Sequence, residues 1–283
     1  MTRIAIVTDS TAYLSNDYIE TNQITVVPLS VNFGSDTRRE GVEIHTREFW
    51  DMLPGVKELP TTSQPAVGEF VQAFEKLLQT HDSIIGIFIS SGLSGTFNAA
   101  KTASGMVEGD ITVIDSKLTS YPLEAMVGEA VTMRDEGKSK EEIIDRIQYI
   151  VDNQTAYFIV DSLEHLHKGG RISGVSALVG SLLQVKPVLY VTKEGKLDVF
   201  DKVRTRRKAL DRILDLFRED KAANAGKPVH LAVIYSNNLD DAKEFQERIG
   251  NEFPDVNPEL SELGPVIGTH VGPGILAIAY YFG

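Results

Sequence analysis

The feature that most constrains the fold is an uninterrupted apolar run, I-I-G-I-F-I, at residues 84–89. Such a run is typical of a β-strand that is covered on both faces, as in parallel sheets flanked by helices. The runs R-I-A-I-V-T (3–8) and I-T-V-I-D-S (111–116) are also β-rich and lead into polar turns. The sequence therefore predicts a buried parallel sheet in the N-terminal half of the chain.

Amphipathic segments alternate with these runs, which favours an α/β architecture. Residues 66–78 place apolar side chains at helical spacing. Residues 24–33 are predicted to be extended and to bend at Pro28. Further helices are predicted at 46–53, 95–103, 120–136 and 139–152.

A second unit is predicted to start near residue 153. Two strands at 186–192 and 197–203 are expected to form a hairpin around E-G-K, which favours a mixed or antiparallel sheet. The other predicted elements are strands at 157–160, 229–235 and 259–264 and helices at 162–168, 205–217 and 240–249, followed by a loop into a strand or a buried helix. The 283 residues are thus expected to form two domains, an α/β domain at 1–152 with a parallel sheet and an α+β domain at 153–283.

Composition restricts the class of protein. Hydrophobic residues make up 42% of the chain and charged residues 24%, as in ordinary globular proteins. The absence of cysteine excludes disulfides, thiolate metal sites and cysteine nucleophiles. The N-terminus lacks the apolar run of a signal peptide, and no stretch approaches the ~20 apolar residues of a membrane span, so a cytoplasmic protein is expected.

The charge of the chain is unevenly distributed. The net charge of −12 argues against a broad nucleic-acid surface, because neutralising phosphates requires an excess of Lys and Arg. Residues 161–210 nevertheless contain ten Lys or Arg against five Asp or Glu. This basic segment is interpreted as a solvated helix start, or alternatively as a site for an anionic ligand or an acidic partner.

Two turns are dense in hydroxyl groups, P-T-T-S-Q-P at 60–65 and S-S-G-L-S-G-T at 90–96. Each precedes a predicted helix, where Ser63 or Gln64 in the first turn and Ser94 in the second can act as caps. Helix N-termini also attract carboxylates and phosphates through their free N–H groups. Two such turns on adjacent α/β units favour a shared anion site over two unrelated caps.

A third candidate is His270, which lies in the glycine-rich segment G-T-H-V-G-P-G at 268–274. Glycines let the backbone approach a ligand closely, and imidazole can donate a hydrogen bond to an anion. Motifs of self-sufficient catalysis are missing: there is no P-loop, no G-x-S-x-G elbow, no G-x-G-x-x-G and no convincing metal-ligand spacing. The sequence thus offers groups that hold an anion but lacks a complete catalytic set.

Six motifs in this order together resemble one family. They are T-D-S-T near the start, T-T-S-Q-P, S-S-G-L-S-G-T, H-K-G-G-R-I-S, V-R-T-R-R-K-A and G-T-H-V-G-P-G. The chain resembles the DegV family of bacterial fatty-acid-binding proteins along essentially its whole length. An ordered set of six motifs is far more specific than any one of them.

The resemblance implies a two-domain DegV-like fold that binds one long-chain fatty acid in a tunnel between the domains. The carboxylate-binding residues that it implies are Thr62, Ser63, Ser94, Gly95, Thr96 and His270. Thr62 and Ser94 are the expected principal hydroxyls, and His270 is expected to assist them. The candidates for the tunnel wall are Phe97, Ile275, Leu276, Ala277 and the apolar face of 173–183.

The resemblance also implies a lipid-binding subunit rather than an enzyme. Such a protein presents its fatty acid to a separate fatty acid kinase, which forms an acyl phosphate for phospholipid synthesis. No cofactor or metal is expected on this chain, ATP and Mg belong to the kinase, and membrane contact is expected to be transient, for fatty acid exchange. Arg171 and Arg204 are expected near the carboxylate mouth and the kinase-docking face, with Arg206, Arg207 and Lys208 against an acidic surface of the partner.

Two other functions compete with this interpretation. A serine hydrolase acting on acyl esters would use Ser94 with His270, but no sequence feature identifies the third group that must orient the histidine. A carrier of another small anion, such as a sugar phosphate, would use the same hydroxyl turns. Ester hydrolysis distinguishes the hydrolase, and the chemical nature of a bound ligand distinguishes the carrier.

Overall fold

The computed structural model describes residues 3–172 and 185–283. The chain divides into two compact units, unit 1 (Met1–His45 and Thr62–Asp152) and unit 2 (Thr46–Thr61 and Asn153–Gly283). The sequence predicted domains at 1–152 and 153–283. The structure differs from that prediction by assigning the short segment Thr46–Thr61 to unit 2.

The elements in the first part of the chain alternate as the sequence predicts. The strands are β1 (Ile4–Asp9), β2 (Thr25–Val27), β3 (Ser30–Phe33), β4 (Asp36–Arg39), β5 (Thr61–Ser63), β6 (Ser83–Phe88) and β7 (Asp110–Asp115). The helices are α1 (Asn16–Thr21), α2 (Thr46–Met52), α3 (Val67–Leu78), α4 (Thr96–Ser104), α5 (Tyr121–Asp135) and α6 (Lys140–Asn153). The sequence did not predict α1 or β4.

Unit 1 is built on a parallel sheet with the strand order β2-β1-β6-β7. Each residue of β6 is buried, as expected for a strand covered on both faces. On one face, Val7 and Phe88 pack with Phe70 and Phe74 of α3 and with Ala100 of α4. Helix α5 packs against β1 and β6. A small second sheet has the order β4-β3-β5.

The remaining elements belong to unit 2. The strands are β8 (Thr155–Ile159), β9 (Lys186–Val191), β10 (Leu197–Val203), β11 (Val229–Tyr235), β12 (Glu259–Glu262) and β13 (Leu276–Phe282). The described helices are α7 (Glu164–Lys168), α8 (Arg206–Ala223), α9 (Leu239–Glu252) and α10 (Pro265–Val271). Across 3–172 and 185–283, no helix is long and apolar enough to cross a membrane.

The sheet of unit 2 is mixed, with the order β10-β9-β8-β13-β11-β12. Only β11 and β12 pair in parallel among these described strands, and β9 and β10 form the predicted hairpin. Its core packs Phe217 of α8 and Phe245 of α9 against Val188, Val233 and Ile278 of the sheet. The topology confirms the predicted fold class: a parallel sheet in the first unit and a mixed sheet in the second.

Candidate ligand-binding site

The strand order of unit 1 marks where a ligand can bind. From β1 the chain passes to β2 on one side, and β6 lies on the other side. Open α/β sheets bind ligands beyond the carboxyl ends of their strands, at such a switch point. The segments that leave β1 and β6 here are Asp9-Ser10-Thr11 and the hydroxyl-rich turn 90–96.

Asp9 ties these two segments together. Its carboxylate is fully buried and accepts hydrogen bonds from the Ile89 amide (2.7 Å), the Thr11 amide (2.9 Å) and the Thr11 hydroxyl (2.6 Å). Burial raises the pKa of Asp9 to about 6, although its three donors act in the opposite direction. The T-D-S-T motif thus anchors the start of the turn that carries Ser94.

The turn 90–96 closes on itself. The carbonyl of Ser90 accepts hydrogen bonds from the amides of Leu93 and Ser94, both at 3.0 Å. The Ser94 hydroxyl lies 2.8 Å from the hydroxyl of Thr96 and accepts a bond from the Thr96 amide at 3.3 Å. The prediction that Ser94 caps α4 is wrong in register, because Gly95 is the N-cap residue.

The turn 60–65 also differs from its prediction. Thr61–Ser63 forms β5, and the N-cap of α3 is Ala66 rather than Ser63 or Gln64. The Ser63 hydroxyl accepts a hydrogen bond from Asn32 Nδ2 at 2.8 Å. Thr62 is half-buried, whereas Ser63 is exposed. These hydroxyls are therefore presented by a short strand and not by a helix cap.

The structure brings the two turns together within unit 1. The amide oxygen of Gln64 occupies the space that a Cβ at position 95 would need, so only glycine fits there without displacing Gln64. Contact between Gln64 and Gly95 places the polar end of β5 against the N-terminus of α4. The sequence indicated two turns on adjacent α/β units but gave no sign that Gln64 joins them.

The histidine candidate lies in unit 2. His270 is in the last turn of α10, so the loop predicted for this segment is wrong at His270. The helix ends at Val271, and its C-cap residue is Gly272, which has φ 71°. The imidazole is 8% exposed and its Nδ1 lies over Gly169, where a Cβ would overlap it. Glycine at 169 is thus required for His270 to hold this position.

A second histidine mirrors this arrangement. His165 Nδ1 lies 3.0 Å from the carbonyl oxygen of Thr269 and must donate to it, which leaves Nε2 as an acceptor in the neutral ring. The ring packs against Gly272, where a Cβ would come within 2.6 Å. The segments 165–171 and 268–272 therefore interlock, because His165 lies over Gly272 and His270 lies over Gly169.

Electrostatics keep His270 neutral. Burial, and then the charge of Arg171 and the nearby His165, lower the pKa of His270 to about 3. Burial also lowers the pKa of Arg171, whose guanidinium donates to the carbonyl of Gly169 at 2.6 Å. A neutral imidazole can donate one hydrogen bond and accept another, but it is a weak general base at pH 7.

A cavity of about 270 Å³ lies beside this pair of segments in unit 2. Gly169 and Thr269 line it together with Lys57, His165 and Lys168. Lys168 is paired with Glu164 at 2.7 Å, so its charge is partly neutralised. Across the described residues, no cluster of three or more His, Asp or Glu could hold a metal ion.

The basic residues near α8 have different surroundings. Arg204 is exposed between β10 and α8 and makes no hydrogen bond with the described part of the chain. Arg206 instead donates to Asp161 at 2.7 Å, to Asp241 at 2.9 Å and to the carbonyl of Gly274 at 3.2 Å. The guanidinium of Arg206 is thus bound inside unit 2, and its expected contact with a partner stays a prediction.

The candidates for the acyl tunnel lie in packed regions. Phe97 is half-buried against the core of unit 1, with the Lys101 ammonium 5.9 Å from its ring centre. Ile275 is 5% exposed, and Leu276 belongs to the core of unit 2. Ala277 is also 5% exposed. The predicted face of 173–183 lies outside the described residues.

Comparisons with known proteins give one consistent family. A family model described as "Uncharacterised protein, DegV family" matches residues 3–283. A DegV domain-containing protein of Halalkalibacterium halodurans is 41% identical over 283 residues, which cover 99% of each chain.

Solved structures agree over the full length. The crystal structure of DegV from Bacillus subtilis, a fatty acid binding protein, is 39% identical with a TM-score of 0.90 and covers 100% of both chains. A DegV family protein from Thermus thermophilus, whose structure is described under its fatty acid binding, is 32% identical with a TM-score of 0.90. The match covers 99% of this chain and 100% of the Thermus chain. The two-domain fold and the six motifs have the same explanation: the chain belongs to the DegV family.

Proposed function

We propose that this protein binds one long-chain fatty acid. The observation that carries the proposal is the full-length structural match, at 39% identity, to a DegV protein described as fatty acid binding. In the proposal, the hydroxyls of the two turns joined by Gln64 and Gly95 bind the carboxylate, with Thr62 and Ser94 as principal contacts. Ser63, Thr96 and the backbone of Gly95 support them, and His270 is a further hydrogen-bond donor.

The physical chemistry supports this ligand class. Each methylene removed from water contributes about 0.8 kcal/mol, so a long acyl chain binds favourably even after ordering costs. The carboxylate cannot be buried bare and requires hydrogen-bond donors. The hydroxyl of Ser94, beyond the carboxyl end of β6, and that of Thr62, on β5, can meet that requirement.

We further propose that the bound acid is the substrate of a separate ATP-dependent kinase. A carboxylate oxygen would attack the γ-phosphorus of ATP, and the bond from this phosphorus to the oxygen bridging the β- and γ-phosphates would break. ADP would leave, and the fatty acid would become an acyl phosphate. ATP and Mg would reside on the kinase. Arg171 and Arg204 are the candidates for stabilising phosphate charge or for docking, because guanidinium groups bind phosphate oxygens well.

The serine hydrolase alternative receives less support from the geometry. The Ser94 hydroxyl is already paired with Thr96. His270, with a pKa near 3, would remove a proton from serine poorly at pH 7.

The first experiment is denaturing extraction of the purified protein followed by mass spectrometry of the released lipid. One fatty acid per chain is expected, and delipidated protein should take up added palmitate. An empty protein that also refuses palmitate would overturn the proposal. Hydrolysis of a nitrophenyl acyl ester, lost in Ser94→Ala, would establish the hydrolase instead.

A further inference from the structure

Ser120, which leads into α5, is anomalous in both its backbone and its side chain. Its backbone has φ 59° and ψ −137°, a conformation that residues other than glycine rarely adopt. It is the N-cap residue of α5, yet its side chain makes no capping hydrogen bond. Its hydroxyl is buried, with the residue 1% exposed, and has no hydrogen-bond partner in the described part of the chain.

Each anomaly costs stability. A serine at an N-cap ordinarily accepts a hydrogen bond from the second or third amide of its helix, and Ser120 lacks this bond. A buried hydroxyl without a partner loses its hydration without compensation. Strained backbone conformations such as that of Ser120 cluster at active sites and ligand-binding positions.

The neighbours of Ser120 place it at the candidate ligand-binding edge. Its amide donates to the carbonyl of Thr11 at 2.9 Å, directly beyond the end of β1. Leu118, two residues earlier, accepts a hydrogen bond from the Ser90 amide at 2.9 Å, at the start of the turn that carries Ser94. The segments that follow β1, β6 and β7 are therefore linked at one edge of the parallel sheet, and Ser120 lies among them.

We propose that the Ser120 hydroxyl is an additional hydrogen-bond donor to the carboxylate of the bound fatty acid, an inference that rests on the proposed function. The N-terminus of a 15-residue helix adds free amides and a positive partial charge to this position. The carboxylate would supply the acceptor that the protein itself does not. The strained backbone would aim the hydroxyl away from its own helix and toward the ligand.

Unit 1 contains a matched control for this proposal. Ser83 is also 1% exposed with an unpartnered hydroxyl among the described residues, but it begins β6 and lies at the amino end of the sheet. Replacing either serine by alanine removes the same buried group. Only the change at Ser120 should affect the ligand.

The test measures melting temperature and palmitate affinity of delipidated protein for wild type, Ser120→Ala and Ser83→Ala. Both variants should melt about 2–4 °C higher, because an unsatisfied buried hydroxyl is removed. Ser120→Ala should bind palmitate about tenfold or more weakly, the usual effect of losing a hydrogen bond to a charged group. Its affinity for hexadecanol, which carries no carboxylate, should change far less.

Three outcomes decide between the possibilities. A raised melting temperature in both variants, with palmitate binding weakened in Ser120→Ala but not in Ser83→Ala, supports the inference. Wild-type palmitate affinity in Ser120→Ala, or an equal loss for hexadecanol, overturns it and leaves the proposed function intact. Failure of the wild-type protein to bind palmitate removes the proposed function itself.

Discussion

At the residue scale, burial shifts the pKa values of Asp9 and His270 in opposite directions. Asp9 has its pKa raised to about 6, so it contributes stability that is present below its unfolded pKa of 3.8 and is lost as the pH rises through 6. His270 has its pKa lowered from 6.5 to about 3. Its contribution is present above pH 6.5 and is lost as the pH falls toward 3.

The acid sensitivity of His270 can be isolated with His270→Gln. Between pH 6.5 and pH 4 the wild-type protein should lose about 3 kcal/mol more stability than the variant, because protonation of a buried imidazole near Arg171 and His165 is unfavourable. Urea unfolding at a series of pH values measures this difference. Asp9 is present in both proteins, so its opposite contribution cancels.

A parallel pH dependence in the two proteins would contradict this account of His270. The substitution Asp9→Asn is the complementary control, because it removes the contribution of Asp9 to stability, which increases as the pH falls. The two substitutions should therefore change the pH profile in opposite directions.

At the element scale, the basic residues at the start of α8 have two kinds of surroundings: one is bound within unit 2 and two are exposed. Thr205 caps the helix by accepting a hydrogen bond from the Lys208 amide at 3.2 Å. Arg206, directly after this cap, reaches two carboxylates and the carbonyl of Gly274, and thereby ties α8 to the ends of other elements of unit 2. Arg207 and Lys208 are exposed.

Substitutions in α8 should separate these functions. Arg206→Met should destabilise the protein by about 1–2 kcal/mol, because two ion pairs and a backbone hydrogen bond are lost. The double change Arg207→Glu and Lys208→Glu should alter stability by less than about 0.5 kcal/mol, as surface substitutions usually do. Urea unfolding measures both.

The double variant also tests the proposed partner. Under the kinase proposal, ADP release by kinase supplied with this protein and palmitate should fall when these two charges are reversed. Unchanged ADP release would exclude Arg207 and Lys208 from the docking surface. A loss of stability in the double variant would show that they are structural, like Arg206.

The errors in the predicted caps have local physical reasons. Proline disfavours the helical conformation of the residue before it, so Pro65 keeps Gln64 extended and delays α3 until after Ala66. In the C-terminal segment, Pro265 at the first helical position starts a short helix that includes His270. Gly268 there serves close packing, because a Cβ would lie 2.8 Å from the ring of Trp50.

At the scale of the whole molecule, unit 2 is assembled from two stretches of the chain that are not consecutive in sequence. Residues 46–61 lie far from 153–283 in sequence but belong to the same unit. Trp50, the single tryptophan of the chain, is 5% exposed and its indole donates to the carbonyl of Leu263 at 3.3 Å. Phe49 packs edge-to-face against it and is fully buried.

A fragment of residues 153–283 should therefore be incomplete. It lacks the two aromatic rings that cover Gly268, so it should bind the dye ANS and melt over a broad range. A synthetic peptide of residues 46–61, added in excess, should sharpen and raise the transition by mass action. A peptide with Phe49→Ala and Trp50→Ala is the matched control and should have no effect.

Circular dichroism during heating measures the transition. A fragment that melts cooperatively without any peptide would contradict the assignment of 46–61 to this unit's core. Equal stabilisation by the control peptide would show that the aromatic rings do not provide the binding.

The sequence by itself determined most of the elements and the family. Continuous apolar runs predicted the strands of the buried parallel sheet, helical spacing predicted the major helices, and six ordered motifs indicated the DegV resemblance. These signals are local, because strand burial and helix amphipathicity repeat over neighbouring residues. The sequence also indicated the hydroxyls of Thr62 and Ser94 as candidate ligand contacts, which stays a prediction.

Only the tertiary structure decided how these parts meet within each unit. Gln64 against Gly95, His270 over Gly169, Asp9 bound to Ile89, and Phe49 and Trp50 under Gly268 all join residues that are distant in sequence. No local pattern encodes such contacts, since each depends on the space left by a glycine or on a donor supplied by another strand. The pKa values of Asp9 and His270 follow from the same burial, so they too are properties of the folded protein.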